Sequence, residues 1–219
     1  MFQEILPNLF AVFPSDSGSN SYLLMGKKIA LIDSGLGKNP ADWRDFLRLS
    51  GLTLESIDFV IHSHAHADHF IGDKLFLKAK IFWPEIDSKP IEFHDEEFTY
   101  SHFFNNSFFP KIDKKLKENE TIEFAPFKLQ VINSPGHTVG SVCFFDEKLK
   151  LLFSGDTLFN GAIGRTDLIS GNKIQMLESI QKLKELDFNL LLPGHGELLK
   201  GNQKDNLDKA VNLLYNENI

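Results

Sequence analysis

The 219-residue sequence contains a single cysteine, Cys143, so no disulfide can form within the chain. It has no run of about 18 consecutive apolar residues, the length that a membrane-spanning helix needs. Its first four residues lack the basic and apolar stretches of a secretory signal peptide. Together these absences favour a cytoplasmic protein that does not enter a membrane.

An excess of basic residues is also absent. The sequence has 23 Lys and Arg against 30 Asp and Glu, and its net charge of −7 argues against general binding to nucleic acid or anionic lipid. The composition is that of a globular protein, and 219 residues suffice for one domain with a substantial core. We therefore expect a single domain over residues 1–219 that does not bind nucleic acid, and we leave open whether it forms a homodimer.

Short apolar runs separated by Gly, Ser and Asn turns predict most of the secondary structure. Strands are expected at 9–13, 21–25, 28–33, 59–61, 121–124, 127–132, 141–145, 151–153 and 190–192. Helices are expected from Pro40 to Gly51 with Asn39 as N-cap, and at 70–78, 173–186 and about 207–214. This order is that of an α+β protein, and two mixed sheets with helices outside would accommodate it.

One stretch, from about residue 84 to 119, shows no sustained period. It carries six phenylalanines among charged residues. We expect it to form a Phe-rich helical or irregular insertion that covers an apolar surface.

The most informative stretch of the sequence follows the predicted strand 59–61. His64 and His66 are two residues apart, so extended backbone would point both to the same side. Asp68 and His69 are adjacent, and only alanines lie between these four side chains. A strand that ends in a cluster of imidazoles and a carboxylate predicts a metal site, with room for two metals.

Metal-capable residues recur just past other predicted strands. His137 follows a strand and a Pro-Gly turn, His195 repeats that arrangement, and Asp156 follows Ser-Gly. Asp33 likewise ends the strand before Ser34. Each residue alone would more often be structural, but their shared position after strands favours one site.

These motifs resemble the metallo-β-lactamase superfamily, whose H-x-H-x-D-H signature matches residues 64–69. The resemblance implies a four-layer αβ/βα sandwich that holds two divalent metal ions, with zinc expected first and iron or manganese as alternatives. The family roles assign one metal to His64, His66 and His137, the other to Asp68, His69 and His195, and a bridging position to Asp156. In the same family Asp33 would orient a ligand histidine.

The stretch from Gly155 to Leu168 narrows the resemblance. It is similar to the G-D-T-L-F…G-R-x-D region of glyoxalase II and of its short, single-domain relatives. The resemblance implies hydrolysis of a small thioester or ester by a metal-bound hydroxide that attacks the carbonyl, with Asp68 as the catalytic group that helps proton transfer. Asp156 stands where some β-lactamases carry a cysteine ligand, so β-lactamase activity is not expected.

Two other readings stay open. A persulfide dioxygenase of this superfamily would hold one iron through His64, His137 and Asp156, although the P-x-H-D-Y pattern of those enzymes is missing around His195. A non-catalytic metal-binding protein is disfavoured because all seven ligand positions are filled. Arg165 and Asp167 would either contact substrate or stabilise their own loop. The sequence leaves open the substrate, whether it contains glutathione, and the metal.

Overall fold

The computed structural model describes residues 2–38 and 40–216, which fall into two compact units. The first unit runs up to Trp83 and includes Ser88–Lys115 and Phe124–Pro126, and the second comprises Pro84–Asp87, Leu116–Glu123 and the chain from Phe127 onward. Among the described residues, no helix combines the length and the apolar character that crossing a bilayer requires.

The first unit is built on a sheet whose strands follow one another in chain order. They are β1 (Phe2–Leu6), β2 (Leu9–Val12), β3 (Ser21–Met25), β4 (Ile29–Ile32), β5 (Phe59–Ile61), β6 (Lys80–Pro84) and β7 (Lys114–Leu116). The pairs from β1 to β4 are antiparallel, whereas β4, β5 and β6 run parallel. The sheet is therefore mixed, and β5 is enclosed by parallel neighbours.

Helix α1 (Pro40–Leu49) covers this sheet. Its buried residues Trp43 and Leu47 join the apolar cluster that contains Leu31 and Val60 of the two central strands. The helix and its proline start were predicted, but the proposed N-cap, Asn39, lies outside the described residues. Burial of this apolar stripe is what fixes the helix against the sheet.

The helical segments of the metal motif and of the Phe-rich stretch are short, and the Phe-rich stretch also contains β7. Helix α2 (Ala67–Phe70) and a 3₁₀ turn (Ile71–Leu75) replace the single helix predicted at 70–78, so the helix starts inside the motif. The Phe-rich stretch forms α3 (Ser88–Glu92), α4 (Glu96–Thr99) and a 3₁₀ turn (Ser101–Phe104). A further 3₁₀ turn lies at Leu54–Ser56.

The second unit contains the other mixed sheet, in the order β13, β12, β11, β10, β9, β8. These strands are β8 (Thr121–Phe124), β9 (Phe127–Asn133), β10 (Val142–Asp146), β11 (Leu151–Gly155), β12 (Leu190–Pro193) and β13 (Leu199–Lys200). Strands β11 and β12 are parallel, whereas β9 with β10, β10 with β11, and β12 with β13 pair antiparallel.

Helices α5 (Lys173–Leu183) and α6 (Gln203–Asn216) pack on this second sheet. Met176 and Ile180 of α5 and Leu207 of α6 belong to one apolar cluster with Leu152 and Leu191 of the strands. Both units therefore follow the same plan, a mixed sheet with helices on an apolar face, as the sequence pattern predicted.

Candidate metal centre

The first ligand group consists of His64, His66, Asp68 and His69, and it belongs to the first unit. It begins three residues after β5, a strand with parallel neighbours on both sides. The carboxyl ends of such strands lie at one edge of a sheet, which is where α/β proteins place ligands. Asp33 directly follows the neighbouring β4, and its N–H donates to the Ile61 carbonyl at 3.0 Å.

The side chains of the first ligand group converge. One ligand atom of His64 lies within 4.8 Å of one from His66 and, separately, of one from His69. The Asp68 Oδ2 atom is 3.8 Å from His69 Nε2. The three histidines are buried, whereas the Asp68 side chain keeps 20% of its surface exposed. The group is thus a buried set of imidazoles with one carboxylate that reaches solvent.

Asp33 and Ser63 hold two of these imidazoles by their Nδ1 atoms. His69 Nδ1 lies 2.8 Å from Asp33 Oδ2, and Ser63 Oγ donates to the same oxygen at 2.7 Å. Ser63 Oγ is also 3.0 Å from His64 Nδ1, and because its proton goes to Asp33 it must accept there. Both rings therefore carry their proton on Nδ1, which makes Nε2 the atom that would coordinate a metal.

A buried charge network continues behind Asp33. Burial alone would raise the pKa of this carboxyl, but the adjacent His69 and His62 hold its pKa well below the ordinary value. His62 Nε2 lies 2.9 Å from Asp73 Oδ2. Burial opposes the imidazolium, yet Asp73 and Asp33 raise the pKa of His62 to about 9. His62 thus lies between two carboxylates.

At Gly72 the backbone passes close to the backbone of Ser34. A Cβ atom there would overlap the Ser34 carbonyl oxygen. The Ser34 N–H in turn donates to the His69 carbonyl at 2.8 Å. Only glycine lets the chain after α2 pass this close to the turn that carries Asp33.

The second ligand group consists of His137, Asp156 and His195, and it belongs to the second unit. The three residues follow β9, β11 and β12 respectively. Strands β9 and β11 are both antiparallel to β10, and β12 is parallel to β11, so all three run in the same direction. Their carboxyl ends therefore lie at one edge of the sheet, which gathers residues that are far apart in the sequence.

Asp156 is at the centre of this second ligand group. Its Oδ2 atom lies 3.5 Å from His137 Nε2 and 3.6 Å from His195 Nε2. Two atoms that are each about 2.1 Å from one tetrahedral metal would be about 3.4 Å apart. The spacing is therefore that of neighbouring ligands, and one carboxylate reaches both histidines.

A main-chain carbonyl group orients the ring of His137. Its Nδ1 atom lies 2.8 Å from the carbonyl oxygen of Arg165, which makes Nδ1 the donor and Nε2 the ligand atom. Gly164 permits this approach, because a Cβ there would overlap the Asp156 carbonyl oxygen and lie 3.1 Å from His137 Nδ1. His195 has a side chain that is 35% exposed, and its ring lies 6.1 Å from that of Phe159 and nearly perpendicular to it.

The Arg165 and Asp167 side chains form a two-bond ion pair. Arg165 Nε and Nη2 donate to the two carboxylate oxygens at 2.9 and 2.8 Å. Both side chains are 68% exposed. The arrangement favours the loop-structure reading of these residues, and a direct contact with substrate stays a prediction.

The sequence analysis did not predict two hydrogen-bonding contacts near the ligand groups. Ser63 carried no spacing signal, since serine is common beside any strand end. Thr138 Oγ1 donates at 2.6 Å to Asp87, a buried carboxylate that the predicted irregular insertion gave no reason to select. His94 and His102 are exposed, and Cys143 is buried. Burial raises the pKa of the Cys143 thiol to about 11, so it is protonated at neutral pH.

The donor set agrees with a resident divalent metal. Five imidazoles and two carboxylates are typical of zinc, iron and manganese sites, and the residues of both ligand groups are among those that could hold a metal ion. Within each group, the ring nitrogens opposite the supporting hydrogen bonds are the ones that would bind. Which ligands share one metal stays a prediction.

Comparison with known proteins gives related chains. The chain is 35% identical over 187 residues to a probable metallo-hydrolase, MJ0888, of Methanocaldococcus jannaschii, covering 82% of this chain and 88% of that one. It is 29% identical over 197 residues to the hydroxyacylglutathione hydrolase of Francisella philomiragia, covering 90% and 68%. The corresponding enzyme of Bartonella henselae is 34% identical over 157 residues, and the match covers 71% of this chain but only 54% of that enzyme.

Solved structures share the fold. A metallo-β-lactamase family protein of Thermus thermophilus, TTHA1429, superposes with a TM-score of 0.77 at 21% identity over 96% of this chain and 79% of that one. TTHA1623, solved in a di-iron-bound form, gives a TM-score of 0.70 at 28% identity over 86% and 94%. The predicted fold class, two mixed sheets with helices in the metallo-β-lactamase arrangement, is thereby confirmed.

The profile of the metallo-β-lactamase superfamily matches residues 14–195, a range that contains Asp33 and both ligand groups. The chain belongs to the metallo-β-lactamase superfamily.

Proposed function

We propose that the chain is a binuclear metallohydrolase that cleaves a small thioester or ester. The observation that carries the proposal is the position of Asp156, whose one carboxylate oxygen lies 3.5 and 3.6 Å from the Nε2 atoms of two histidines. A carboxylate placed in this way is suited to bridge two ions. The hydroxyacylglutathione hydrolases among the relatives and the di-iron-bound TTHA1623 support the same reading.

We propose that two divalent ions, zinc first and iron or manganese otherwise, are held by the seven residues of the two ligand groups. By the family resemblance, His64, His66 and His137 would hold one ion, Asp68, His69 and His195 would hold the other, and Asp156 would contribute to both. Bound divalent ions would polarise a carbonyl and lower the pKa of a water molecule towards ~7. This assignment follows the family resemblance and the donor chemistry.

The chain's own residues would then orient the ligand histidines and transfer protons. Asp33 and Ser63 keep the Nε2 atoms of His69 and His64 unprotonated by holding the proton on Nδ1. Asp68, the one member of its group with partial exposure, would accept a proton from the attacking water at a carboxylate oxygen. It would return that proton to the sulfur or oxygen that leaves, so that water and thioester give a carboxylic acid and a thiol.

The test combines metal analysis with hydrolysis of simple thioesters. Protein purified without chelators is expected to contain about two metals per chain and to release thiol from a small S-acyl compound. Removal of metal with a chelator should abolish release, and added zinc, iron or manganese should restore it. A fully metal-loaded protein that cleaves neither thioesters nor esters would overturn the proposal.

The alternative is a persulfide dioxygenase with one iron on His64, His137 and Asp156. A fold neighbour described as ETHE1 from Myxococcus xanthus is only 20% identical, so that likeness bears on the fold alone. One iron per chain, together with oxygen consumption on a persulfide, would favour this alternative. The two proposals therefore predict different numbers of metal ions per chain, and this number can be measured without knowing the substrate.

A further inference from the structure

We propose that Tyr100 and Phe103 form an aromatic platform that binds an apolar acyl group of the substrate next to His66, with Tyr100 as the residue that determines specificity. This inference rests on the proposed function and names the class of substrate. Both residues lie in the Phe-rich stretch of the first unit, to which the sequence assigned no role beyond covering an apolar surface.

Tyr100 contacts a predicted metal ligand. The centroid of its ring lies 5.3 Å from that of His66, and the two planes meet at 69°. His66 is only 5% exposed, whereas Tyr100 is partly exposed. The tyrosine ring is therefore a partly accessible surface in contact with this imidazole, and a group bound near the ligand could meet it.

Phe103 extends the aromatic surface outward. Its ring lies 5.9 Å from that of Tyr100, nearly parallel at 15°, and 4.2 Å from the ring of His102. Phe103 is 70% exposed. The 3₁₀ turn that carries it, Ser101–Phe104, also packs against α2, which contains Asp68 and His69. The platform thus runs from buried ligands to solvent without leaving one unit.

The backbone of this turn adopts a conformation that its sequence does not favour. Tyr100 has φ of 57° and caps α4 in the left-handed region, where glycine is the usual residue. Asn105, at the other end of the turn, has φ of 48°. Asparagine tolerates this region, but a bulky aromatic residue there is uncommon. A side chain kept at a strained position is typical of functional sites, where its placement outweighs local preference.

The surrounding charges indicate which part of a substrate the platform would bind. Glu92, Asp95, Glu96 and Glu97 precede Tyr100 within eight residues. Lys115 pairs with Glu92, and Asp95 caps α4 through the Phe98 N–H, but Glu96 and Glu97 remain exposed. This acidic border disfavours an anionic carrier on the platform. A neutral apolar acyl group, aromatic for preference, fits the rings and avoids the carboxylates.

The test compares two neutral thioesters that differ only in the acyl group, S-ethyl 3-phenylpropanethioate and S-ethyl ethanethioate. In the metal-loaded wild type we expect a higher kcat/KM for the phenylpropanoyl compound. Tyr100→Gly should lower this preference about tenfold or more, and Phe103→Ala should lower it about threefold. Tyr100→Phe keeps the ring and should retain the preference. Phe93→Ala, which removes another exposed phenylalanine of the same stretch, is the matched control and should retain it too.

A binding measurement separates this inference from the proposed function. N-ethyl-3-phenylpropanamide and N-ethylacetamide are uncleavable counterparts of the two thioesters, and nuclear magnetic resonance titration gives their affinities without turnover. The phenyl compound should bind more tightly, and Tyr100→Gly should remove the difference. If no thioester is cleaved but this difference is found, the proposed function fails and the platform stands.

If the Tyr100 ring only stabilised the fold, Tyr100→Gly would give a different set of results. Glycine suits the left-handed backbone at position 100, so Tyr100→Gly is expected to fold and to bind metal like the wild type. If the variant lost thermal stability and metal while the ratio of the two kcat/KM values and the ratio of the two amide affinities stayed unchanged, the platform would be overturned. Unchanged ratios in a stable variant would overturn it as well.

Discussion

The two ligand groups differ in what holds their imidazoles in place. In the first group, Nδ1 of His69 and Nδ1 of His64 contact the side chains of Asp33 and Ser63. In the second group, Nδ1 of His137 contacts the main-chain carbonyl of Arg165. A substitution can remove a side-chain partner directly. A main-chain partner is removed only by a change that moves the backbone.

The two groups also differ in their layout along the chain. The first takes four ligands from six consecutive residues, 64–69, that lead into α2 and are almost wholly buried. The second takes three ligands from three strand ends, and one of them, His195, is partly exposed. Local spacing organises the first group and sheet topology organises the second. The variants below test this difference, from the largest expected effect to the smallest.

Replacing His66 with alanine should have the largest effect. The substitution removes a predicted ligand from the buried group, so metal content should fall to about one per chain and hydrolysis should drop by at least about 10³-fold. Elemental analysis and a thioester assay measure the two outcomes. His94→Ala, which removes an exposed histidine of the same unit, is the control and should change neither. Retained iron and oxygen consumption in His66→Ala would favour the dioxygenase instead.

Replacing Gly164 with alanine should disturb the second group through its backbone. The new Cβ would overlap the Asp156 carbonyl oxygen, so the loop must shift and the contact between the Arg165 carbonyl and His137 must lengthen. We expect activity to fall by about 10²-fold and metal affinity to weaken, as measured by competition with a chromogenic chelator.

Gly161→Ala is the matched control in the same loop. Gly161 has φ of 79°, so alanine there is strained, but no atom lies within 4 Å of the added Cβ. The control is expected to lower thermal stability while metal affinity stays near the wild-type value. Equal losses of affinity in both variants would show that loop strain, and not the close approach to Asp156, is responsible.

Replacing Asp33 with asparagine should weaken the first group through its side-chain support. Asparagine keeps the shape but removes the charge that holds the Nδ1 proton of His69. We expect metal affinity to fall by about 10- to 100-fold. Asp58→Asn is the control in the same unit, because Asp58 accepts from the Ile29 N–H and Lys28 at the other end of β4. It should alter stability and leave metal affinity unchanged.

Comparing the wild type with Asp33→Asn also gives a prediction for the pH dependence of stability. The folded-state pKa of Asp33 is well below its ordinary value, so the charged carboxylate stabilises the fold above the unfolded pKa, about 4, and this contribution is lost as pH falls. Metal-free wild type should exceed Asp33→Asn in the free energy of unfolding by about 2 kcal/mol near pH 6. Urea denaturation should show the gap narrowing steadily below about pH 4, and a constant gap would contradict the assignment.

Replacing Arg165 with alanine should have the smallest effect. The substitution removes the exposed ion pair with Asp167 but leaves the carbonyl oxygen that His137 contacts. We expect kcat and metal affinity to change by about threefold or less, since exposed ion pairs contribute little. A large rise in KM with unchanged metal affinity would instead indicate that Arg165 contacts substrate.

The sequence predicted the parts of the fold that depend on local pattern. Strand 59–61 and the helix from Pro40 were recovered because each has a clear apolar period and a clear boundary. Strand β1 was missed, since Phe2–Leu6 is largely exposed or half-buried and gives no alternating signal. In α5 apolar character alone would place Ile174 in the core, but this residue is 71% exposed because the buried side is centred on Met176.

The sequence predicted the ligands of the candidate site but not the groups that hold those ligands in place. Histidine and aspartate at strand ends form a recognisable pattern, and family spacing relates His137 to His195 across 58 positions of sequence. Ser63, by contrast, matters because its hydroxyl lies between Asp33 and His64, and the Arg165 carbonyl matters irrespective of its side chain. Such contacts depend on three-dimensional placement, which residue type alone does not encode.

The most direct test of the account is the metal content of the wild-type chain, measured by elemental analysis of protein purified without chelators or affinity metals. The account predicts about two divalent ions per chain. A content of one iron per chain, unchanged after incubation with excess zinc, iron or manganese, would contradict the binuclear centre and with it the proposed hydrolase.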